Sequence, residues 1–544
     1  MNIIQNLIII NSILFFAKVV KDSFYFLWLF QIKEYRLDRI KSHLRENIKL
    51  HFSDLIIALG TLILLSVFFP VTAKFIFVCF FLFLGCLTPV YFLYTFIEAI
   101  KDIKKHSFKR PKPTFKIVLV SAVYSIFYIV TTLLATTKII STIELIYTVD
   151  FFILFSLYLL CLSALVPVFI LLAIVIITPS SDFQKKKILK KARLKMQEMK
   201  HIKTIGITGS FGKTSTKEFL YTILSQKYKV IKTAGNNNTN MGVANTILKN
   251  VNDSFDFFIC EMGAYKIGEI KETSGLVQPF AGVITGINEQ HLDLFGSIQN
   301  TKKAKFELIQ NLPKDGFAII NKKAAELKPK VECEVEDIVL FSEELLKDIA
   351  VDTESVEFTY KETVFKINIL GKHYLENLLA SIIVAEKLGM TLEEIKIAIE
   401  EMKPESEYLM QKKQGPNGAI FIDDSYSANP SGVMAALEYL DDAYPKFKKI
   451  FVFPGIIELG KNSEQIHQEL WNKANEICSL VYIIQKENKE IKNRYQKCRF
   501  VFEKDFDKIK IDLRKHLDKN TVVLFESRGA GVVMKKILDK NKEK

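Results

Sequence analysis

The sequence predicts a multi-pass α-helical membrane domain followed by an α/β half. Three observations carry this reading. The first 180 residues hold several apolar runs near or above the ~20 residues that a spanning helix needs. The loops between those runs alternate between strongly basic and nearly neutral. After residue 200, short apolar strands run into glycine-containing loops and helices. The expected divisions are 1–180 for the membrane domain and 181–200 for a basic amphipathic linker. A central α/β domain then spans 201–402, and a C-terminal α/β domain spans 403–544.

The apolar runs come in order. Ile3–Ala17 and Ser23–Ile32 flank Lys18, Lys21 and Asp22. Lys18 and Asp22 are four residues apart and can pair on one helix face, so a single long first helix is expected. A cleaved signal peptide is the alternative, but no small-x-small cleavage site follows the run. Leu55–Ala73, Phe75–Ile97, Ile117–Thr137 and Phe151–Thr178 complete five spans. The last is 28 residues without a charge, and Pro89 and Pro167 are expected to kink the helices that contain them.

Charge sets the orientation. Segments 33–49, 101–116 and 185–200 carry six, seven and eight Lys/Arg, whereas 138–150 carries only Lys138. With five helices the three basic segments share one side, which the positive-inside rule makes cytoplasmic. The expected location is therefore the plasma membrane, with the catalytic half in the cytoplasm. The first 180 residues hold 17 Lys/Arg against 9 Asp/Glu, and residues 181–200 hold 8 against 2. Residues 201–544 balance at 49 each, so the basic excess follows topology and no nucleic-acid partner is expected. Residues 185–200 read as a basic amphipathic helix lying against anionic headgroups, which makes membrane lipid a partner.

The overall composition agrees. Of 544 residues, 49% are hydrophobic and 25% charged, with a mean hydropathy of +0.17. A quarter charged excludes a wholly embedded protein, and the hydropathy argues against an ordinary cytosolic enzyme. The seven cysteines form no C-x-x-C pair, so neither a disulfide framework nor a zinc site is indicated.

The chemistry starts at Lys203–Thr208, a short apolar strand. Gly209-Ser210-Phe211-Gly212-Lys213-Thr214 follows, then a helical pattern through Leu224. This is the layout of a P-loop-type ATPase domain. Gly209 and Gly212 let backbone N–H groups approach phosphates, and the helix N-terminus adds a favourable dipole. Lys213 would reach the terminal phosphates, and Thr214 would ligate Mg²⁺. The longer pattern wants a glycine at 207, where Ile207 stands, so only the shorter T-G-x-x-G-K-T form matches.

Further motifs follow in chain order. They are Thr233–Gly242 (T-A-G-N-N-N-T-N-M-G), Cys260–Gly263 after a strand Phe255–Ile259, and Asn288–His291 after a strand Ala281–Ile287. Ala304–Glu307 then opens a helix. Gly371–Ser381 (G-K-H-Y-L-E-N-L-L-A-S), Asp423–Pro430 (D-D-S-Y-S-A-N-P), Ile457–Gly460 and Glu526–Gly529 lie beyond. This set resembles the Mur ligase family over about residues 200–540. The D-D-S-Y-x-A-N-P and E-M-G-x-x-x-x-G-E-I segments look most like the UDP-N-acetylmuramoyl-tripeptide:D-alanyl-D-alanine ligase branch.

The resemblance implies a Rossmann-like C-terminal domain and an ATP-dependent ligase of peptidoglycan precursors. A carboxylate becomes an acyl phosphate, and an amino-acid or dipeptide amine displaces the phosphate. ATP and two Mg²⁺ ions are implied. Glu261 would share the first ion with Thr214, and His291 would ligate a second. Lys305 falls where the family carries a metal-ligating carbamate. Asn377 would contact adenine and Asp424 the ribose. Asn238, Tyr426, Asn429 and Arg528 would face the substrates. Tyr426 and Asn429 otherwise shape a turn before Pro430, Arg528 otherwise caps a helix, and His373 is either a core or a site histidine.

Departures from the family pattern bear on the acceptor. The family has a phosphate-contacting arginine shortly before the D-D pair, where this chain offers Lys412 or Lys413. Tyr374 stands where asparagine is common, and Pro454-Gly455-Ile456-Ile457 stands where the branch has G-D-M before E-L-G. The UDP-holding domain that usually precedes the loop has no room in residues 181–200. Two readings stay open. Either the donor is lipid-linked, or the helices only anchor an enzyme that takes a soluble UDP-peptide. An ATP-activating subunit of an amidotransferase acting on a lipid-linked precursor is the alternative function.

Overall fold

The structure is a computed structural model. It describes residues 2–32, 35, 89–103, 108–143, 149–235, 237–288, 295–326, 332–402, 409–426, 428–456, 459, 463–485, 494–495 and 497–539. The chain divides into two compact units, Met1–Lys186 and Lys187–Lys544.

The first unit is helical. It holds α1 (Asn2–Ile32), α2 (89–103), α3 (Phe115–Ile143), α4 (Val149–Ala164) and the start of α5 (Val166–Glu198). Phe30, Phe92, Val120, Val166, Ile170 and Ile174 are fully buried among these helices. α1 runs unbroken past its charges because Lys18 pairs with Asp22 one turn later, as the spacing predicts. Asn11 Nδ2 donates to Ser156 Oγ at 2.9 Å in the interior.

Among the described residues, two helices are long and apolar enough to cross a membrane: Phe115–Leu134 within α3, and α5. The expected spans Leu55–Ala73 and most of Phe75–Ile97 lie outside the described residues. The expected single span Phe151–Thr178 is broken by a turn at Leu165, between α4 and α5. Pro167 therefore sits in the first turn of α5, where its missing N–H costs nothing, and produces no mid-helix kink.

The linker also differs from expectation. α5 continues without interruption through residues 181–198. Its apolar face does not lie open for headgroups. Ala192 and Met196 are buried, and Ile188, Leu189 and Met199 pack beside them on the α/β core that follows. Lys195 Nζ donates to Ile247 O at 2.9 Å and caps a helix C-terminus there.

The second unit holds two doubly wound sheets. The first is all parallel, in the order β2 (Val230–Lys232), β3 (Phe257–Glu261), β1 (Lys203–Thr208), β4 (Pro279–Ile284), β5 (Phe317–Asn321), β6 (Asp337–Phe341). Every residue of β3 and β5 is buried, as expected of central strands covered on both faces. Helices α6 (Lys213–Ser225), α7 (Asn240–Asn250), α8 (Glu269–Val277) and α9 (Ile298–Gln310) cover it. A three-stranded antiparallel sheet follows: β7 (Lys347–Val351), β8 (Val356–Tyr360) and β9 (Thr363–Ile367). Helices α10 (Leu375–Lys387) and α11 (Leu392–Glu400) come next.

The second sheet runs β10 (Gln411–Gln414), β11 (Ile420–Asp424), β15 (Thr521–Glu526), β12 (Lys448–Phe453), β13 (Leu480–Ile483), β14 (Arg499–Phe502). Only β10 is antiparallel. Its helices are α12 (Pro430–Ala443), α13 (Ser463–Ile477), α14 (Phe506–Arg514) and α15 (Ser527–Leu538). In the first sheet the chain leaves β1 for β2 and β3 on one side and β4 on the other. That switch point places a crevice at the carboxyl end of β1, where ligands of such sheets bind.

Candidate active site

The loop between β1 and α6 lies in that crevice. Gly212 caps α6 with φ +77, a left-handed conformation that favours glycine. A Cβ there would stand 2.3 Å from Asn377 Oδ1, so Gly212 also lets α10 close on the loop. Asn377 Nδ2 donates to Ser215 Oγ at 3.1 Å, and Ser381 Oγ donates to Thr216 O at 3.2 Å. No side chain caps the start of α6. Its first N–H groups and the helix dipole are thus left for an anion. The loop rests on Thr285, whose hydroxyl donates to Phe211 O, and Ser210 N donates to Gly286 O at 2.8 Å.

Lys213 bends back over its own loop. Its Nζ donates to Gly209 O at 2.7 Å and to Ser210 O at 3.2 Å. Burial pushes its ammonium below the usual lysine range, and the Glu261 carboxylate opposes that shift.

Glu261 ends β3, the strand beside β1, and is only 1% exposed. Its Oε2 accepts from Thr214 Oγ1 at 3.1 Å and Lys217 Nζ at 3.0 Å. Its Oε1 accepts from Asn238 Nδ2 at 2.9 Å. Gly263 lets the Asn238 segment pack here, since a Cβ on it would stand 2.6 Å from Asn238 Oδ1. A carboxylate and a hydroxyl meeting beside an anion-binding helix start are the donor set that hard divalent cations take. The residues present therefore fit Mg²⁺ at Thr214 and Glu261.

Lys305 stands in the middle of α9, not at its start. Ser297 caps the helix one turn before Thr301, its Oγ accepting from Asn300 N at 3.2 Å. Lys305 is 3% exposed, with Nζ 5.7 Å from the Phe295 ring centroid. Burial pushes its amine well below the usual lysine range, and the nearby Lys213 charge adds to this. Lys213, Asn238, Gly263, Phe295 and Lys305 line one small cavity of about 40 Å³. α9 also serves the neighbouring helix through one residue. Glu307 accepts from Gly268 N and Lys271 N and so caps α8.

Beside this cavity opens a cleft of about 490 Å³. It is lined by Gly212, Lys213, Thr214 and Asn377 from the first half of the site, and by Asp424, Tyr426 and Asn429 from the second. Its size suits a nucleotide. A larger cavity of about 960 Å³ along β10 holds none of the motif residues except Lys412 and Lys413. Both lysines are already paired, Lys412 with Glu354 at 2.8 Å and Lys413 with Asp423.

The remaining expectations separate. Asp424 ends β11 opposite Glu526 of β15. Burial pushes the Asp424 carboxyl up to about 7 and pushes Glu526 well above the carboxylate range. Asn429 caps α12, its Oδ1 accepting from Gly432 N at 3.1 Å, so its turn-shaping role is realised. Arg528 is exposed and donates from Nε to Tyr426 O at 3.4 Å, and it lines neither the cleft nor the small cavity. His373 lines the cleft, and burial lowers it to about 4. His291 lies outside the described residues. Sequence reasoning gave no role to Lys217, nor to Glu307 and Glu526, although the last two stand in the quoted motifs. The spacing puts Lys217 on the Lys213 face of α6, but nothing local announces its burial against Gly235 and Glu261.

The Asp424 shift gives a pH dependence. Were Asp424 the ribose contact, its ionised carboxylate would be the stronger acceptor of that hydroxyl. Its pKa is raised to about 7, so nucleotide affinity is expected to rise up to about tenfold between pH 6 and pH 8. Titration calorimetry with a non-hydrolysable ATP analogue measures this. The Asp424→Asn variant should show a flat profile, and a wild-type profile equally flat would remove Asp424 from the ribose.

Two doubly wound sheets, a glycine loop at a strand-to-helix turn and a buried carboxylate on the next strand define a nucleotide-binding α/β protein of the P-loop type. Residues 207–385 match the Mur ligase middle domain, and residues 410–529 match the Mur ligase glutamate ligase domain. The chain is 32% identical over 282 residues to the UDP-N-acetylmuramoyl-tripeptide--D-alanyl-D-alanine ligase of Bacillus subtilis (strain 168), covering 51% of this chain and 61% of that protein. It is 30% identical over 348 residues to the enzyme of the same name from Borreliella burgdorferi, covering 60% and 72%. A crystal structure of the MurF ligase from Thermotoga maritima in complex with ADP is similar with a TM-score of 0.56 and 27% identity, covering 65% of this chain and 84% of that one. The chain belongs to the Mur ligase family. It spans less than two thirds of the Bacillus relative's length.

Proposed function

We propose that the protein is an ATP- and Mg²⁺-dependent ligase that forms an amide bond on a peptidoglycan precursor, as its D-alanyl-D-alanine-adding relatives are named for doing. The observation that carries this is the convergence of Lys213, Thr214, Asn238, Glu261 and Lys305 at the carboxyl ends of β1 and β3. Asp424 faces the same opening from a second sheet. The proposed domains are 201–402 and 403–544, with the nucleotide between them.

The roles follow from position. The start of α6 and the Gly209–Gly212 backbone bind phosphate oxygens. Lys213 leaves its loop carbonyls for the terminal phosphate and neutralises charge as the donor carboxylate attacks it in line. Thr214 and Glu261 would hold Mg²⁺, which would supply further charge neutralisation there. The resulting acyl phosphate stands beside Lys213 and Lys305 as ADP leaves, and the acceptor amine then displaces phosphate. Asn377 and Asp424 orient adenine and ribose. His291 is proposed for a second ion, and Tyr426, Asn429 and Arg528 for the substrate side. For Asn429 and Arg528 the local contacts equally serve the fold. No feature of the described residues favours the amidotransferase alternative.

Membrane attachment through the N-terminal unit is part of the proposal. Its support is the exposed apolar surface of α3, where Val118, Ile126, Leu133 and Leu134 are each about 60% exposed or more, together with the two apolar helices. Single exposed apolar residues are ordinary, but a whole helix of them is not. The five-helix, plasma-membrane topology with a cytoplasmic catalytic half rests on the loop charges alone.

One assay tests the activity and the donor together. ADP release is followed on detergent-solubilised protein with D-alanyl-D-alanine as acceptor. Matched UDP-linked and polyprenyl-linked muramoyl tripeptides serve as donors. ADP release dependent on both donor and acceptor is expected. Its absence with every donor sinks the ligase reading. A higher kcat/KM on the UDP-linked donor, unchanged when residues 1–180 are deleted, removes the lipid-linked donor and leaves the helices as an anchor.

A further inference from the structure

Lys217 lies one helical turn beyond Lys213 on α6, and the two lysines behave differently. Lys213 turns back over the phosphate loop. Lys217 is fully buried and reaches between the loop after β2 and the end of β3. Its Nζ donates to Gly235 O and to Glu261 Oε2, the latter at 3.0 Å. Glu218 Oε1 stands 3.7 Å away, and Glu218 is itself held by Lys232. Lys217 thus ties two pieces of the site together. One is the carboxylate at the metal position. The other is the Thr233–Gly242 loop that delivers Asn238 to the same carboxylate.

We infer that Lys217 is a positioning residue that serves as the built-in counter-cation of Glu261, suppressing binding of the divalent ion alone so that the ion enters with the nucleotide. This rests on the reading that Thr214 and Glu261 hold Mg²⁺. The argument is electrostatic. Glu261 Oε2 already accepts from an ammonium and a hydroxyl. An incoming dication must therefore share that oxygen with a positive charge fixed about 3 Å from it. In a water-excluded site the repulsion is poorly screened. Nucleotide phosphates bring negative charge to the adjacent start of α6 and offset it. The ion alone has no such compensation. Lys217 cannot withdraw easily, because its second bond to Gly235 O anchors it to the loop.

The test is a calorimetric titration of the full-length, detergent-solubilised protein with Mg²⁺ alone. Three proteins are compared: wild type, Lys217→Gln, and Lys217→Gln with Glu261→Gln. Glutamine keeps a hydrogen-bond donor near Gly235 O and removes the charge. Lys217→Gln is expected to bind Mg²⁺ about tenfold tighter than wild type, since a fixed positive charge beside the ion is gone. The double variant is expected to lose that gain. Equal affinities in wild type and Lys217→Gln overturn the inference, as does a gain that survives in the double variant.

If Lys217→Gln folds too poorly to titrate, its thermal midpoint against Mg²⁺ gives the answer. A rise in the single variant that is absent from the double variant supports the inference, and no rise overturns it. A parallel titration of wild type with a non-hydrolysable ATP analogue and Mg²⁺ separates the two readings. Failure of the wild type to bind the analogue sinks the nucleotide site itself. Binding of the analogue with no Lys217 effect sinks only this inference.

Discussion

Lys213→Ala is expected to lower kcat for ADP release by about 10²- to 10³-fold, the size seen when a group serving transition-state charge is removed. The fold should survive. Among the described residues, the Lys213 ammonium donates only to Gly209 O and Ser210 O at the tip of its own loop. Losing them costs about 1 kcal/mol each. That cost is offset by relief of a charge that burial already disfavours. The thermal midpoint of the purified variant should therefore stay within a few degrees of wild type. Kinetics and melting are measured on the same preparation. Near-normal turnover in a folded variant would refute the assignment of the Gly209–Thr214 loop to ATP. Lost turnover with a collapsed midpoint would instead mark Lys213 as structural.

The difference between Lys213 and Lys217 shows what a sequence can carry. Lys213 is legible because glycines and a strand-to-helix switch force a backbone geometry, and that geometry is written in local residue types. β1 and α6 fall where the pattern puts them, at Lys203–Thr208 and Lys213–Ser225. Lys217 has the same spacing as a surface i,i+4 lysine. Its burial depends on Gly235 and Glu261, which are 18 and 44 residues away. Asp424 and Glu526 are a second case. Each is plain in its own motif, but only the β11–β15 register sets them side by side.

Boundaries fail for local reasons. The run Phe151–Thr178 is uniformly apolar, so composition could not announce the turn at Leu165 that sets Pro167 at a helix start. The basic linker carries both signals of a membrane-surface helix, yet its apolar face finds Val243, Ile247 and the rest of a nearby core. An amphipathic pattern states that a face must be covered, not by what.

Lys305 carries the last prediction and one of the largest effects. Its place in mid-α9 removes the bland reading of a lysine at a helix start. A buried ammonium costs free energy unless it is paired. No hydrogen bond or ion pair of its Nζ appears among the described residues, where the Phe295 ring lies 5.7 Å away. Burial and the Lys213 charge both favour the neutral amine. The neutral amine is the form that adds CO₂. Its nitrogen lone pair forms the N–C bond, one proton leaves for solvent, and the neutral amine becomes an anion. The sign of the pH effect follows from this. Burial lowers the folded-state pKa, so the reactive amine is more populated than in an exposed lysine and is lost as pH falls through that lowered value. Lys305→Arg keeps a positive charge and cannot form a carbamate. It should lower kcat by about 10²- to 10³-fold, as should Lys305→Gln. Wild-type protein equilibrated with ¹³C-bicarbonate should show a carbamate carbon by NMR that both variants lack. Near-normal turnover in a folded Lys305→Arg protein would leave Lys305 as a core lysine with no part in the chemistry.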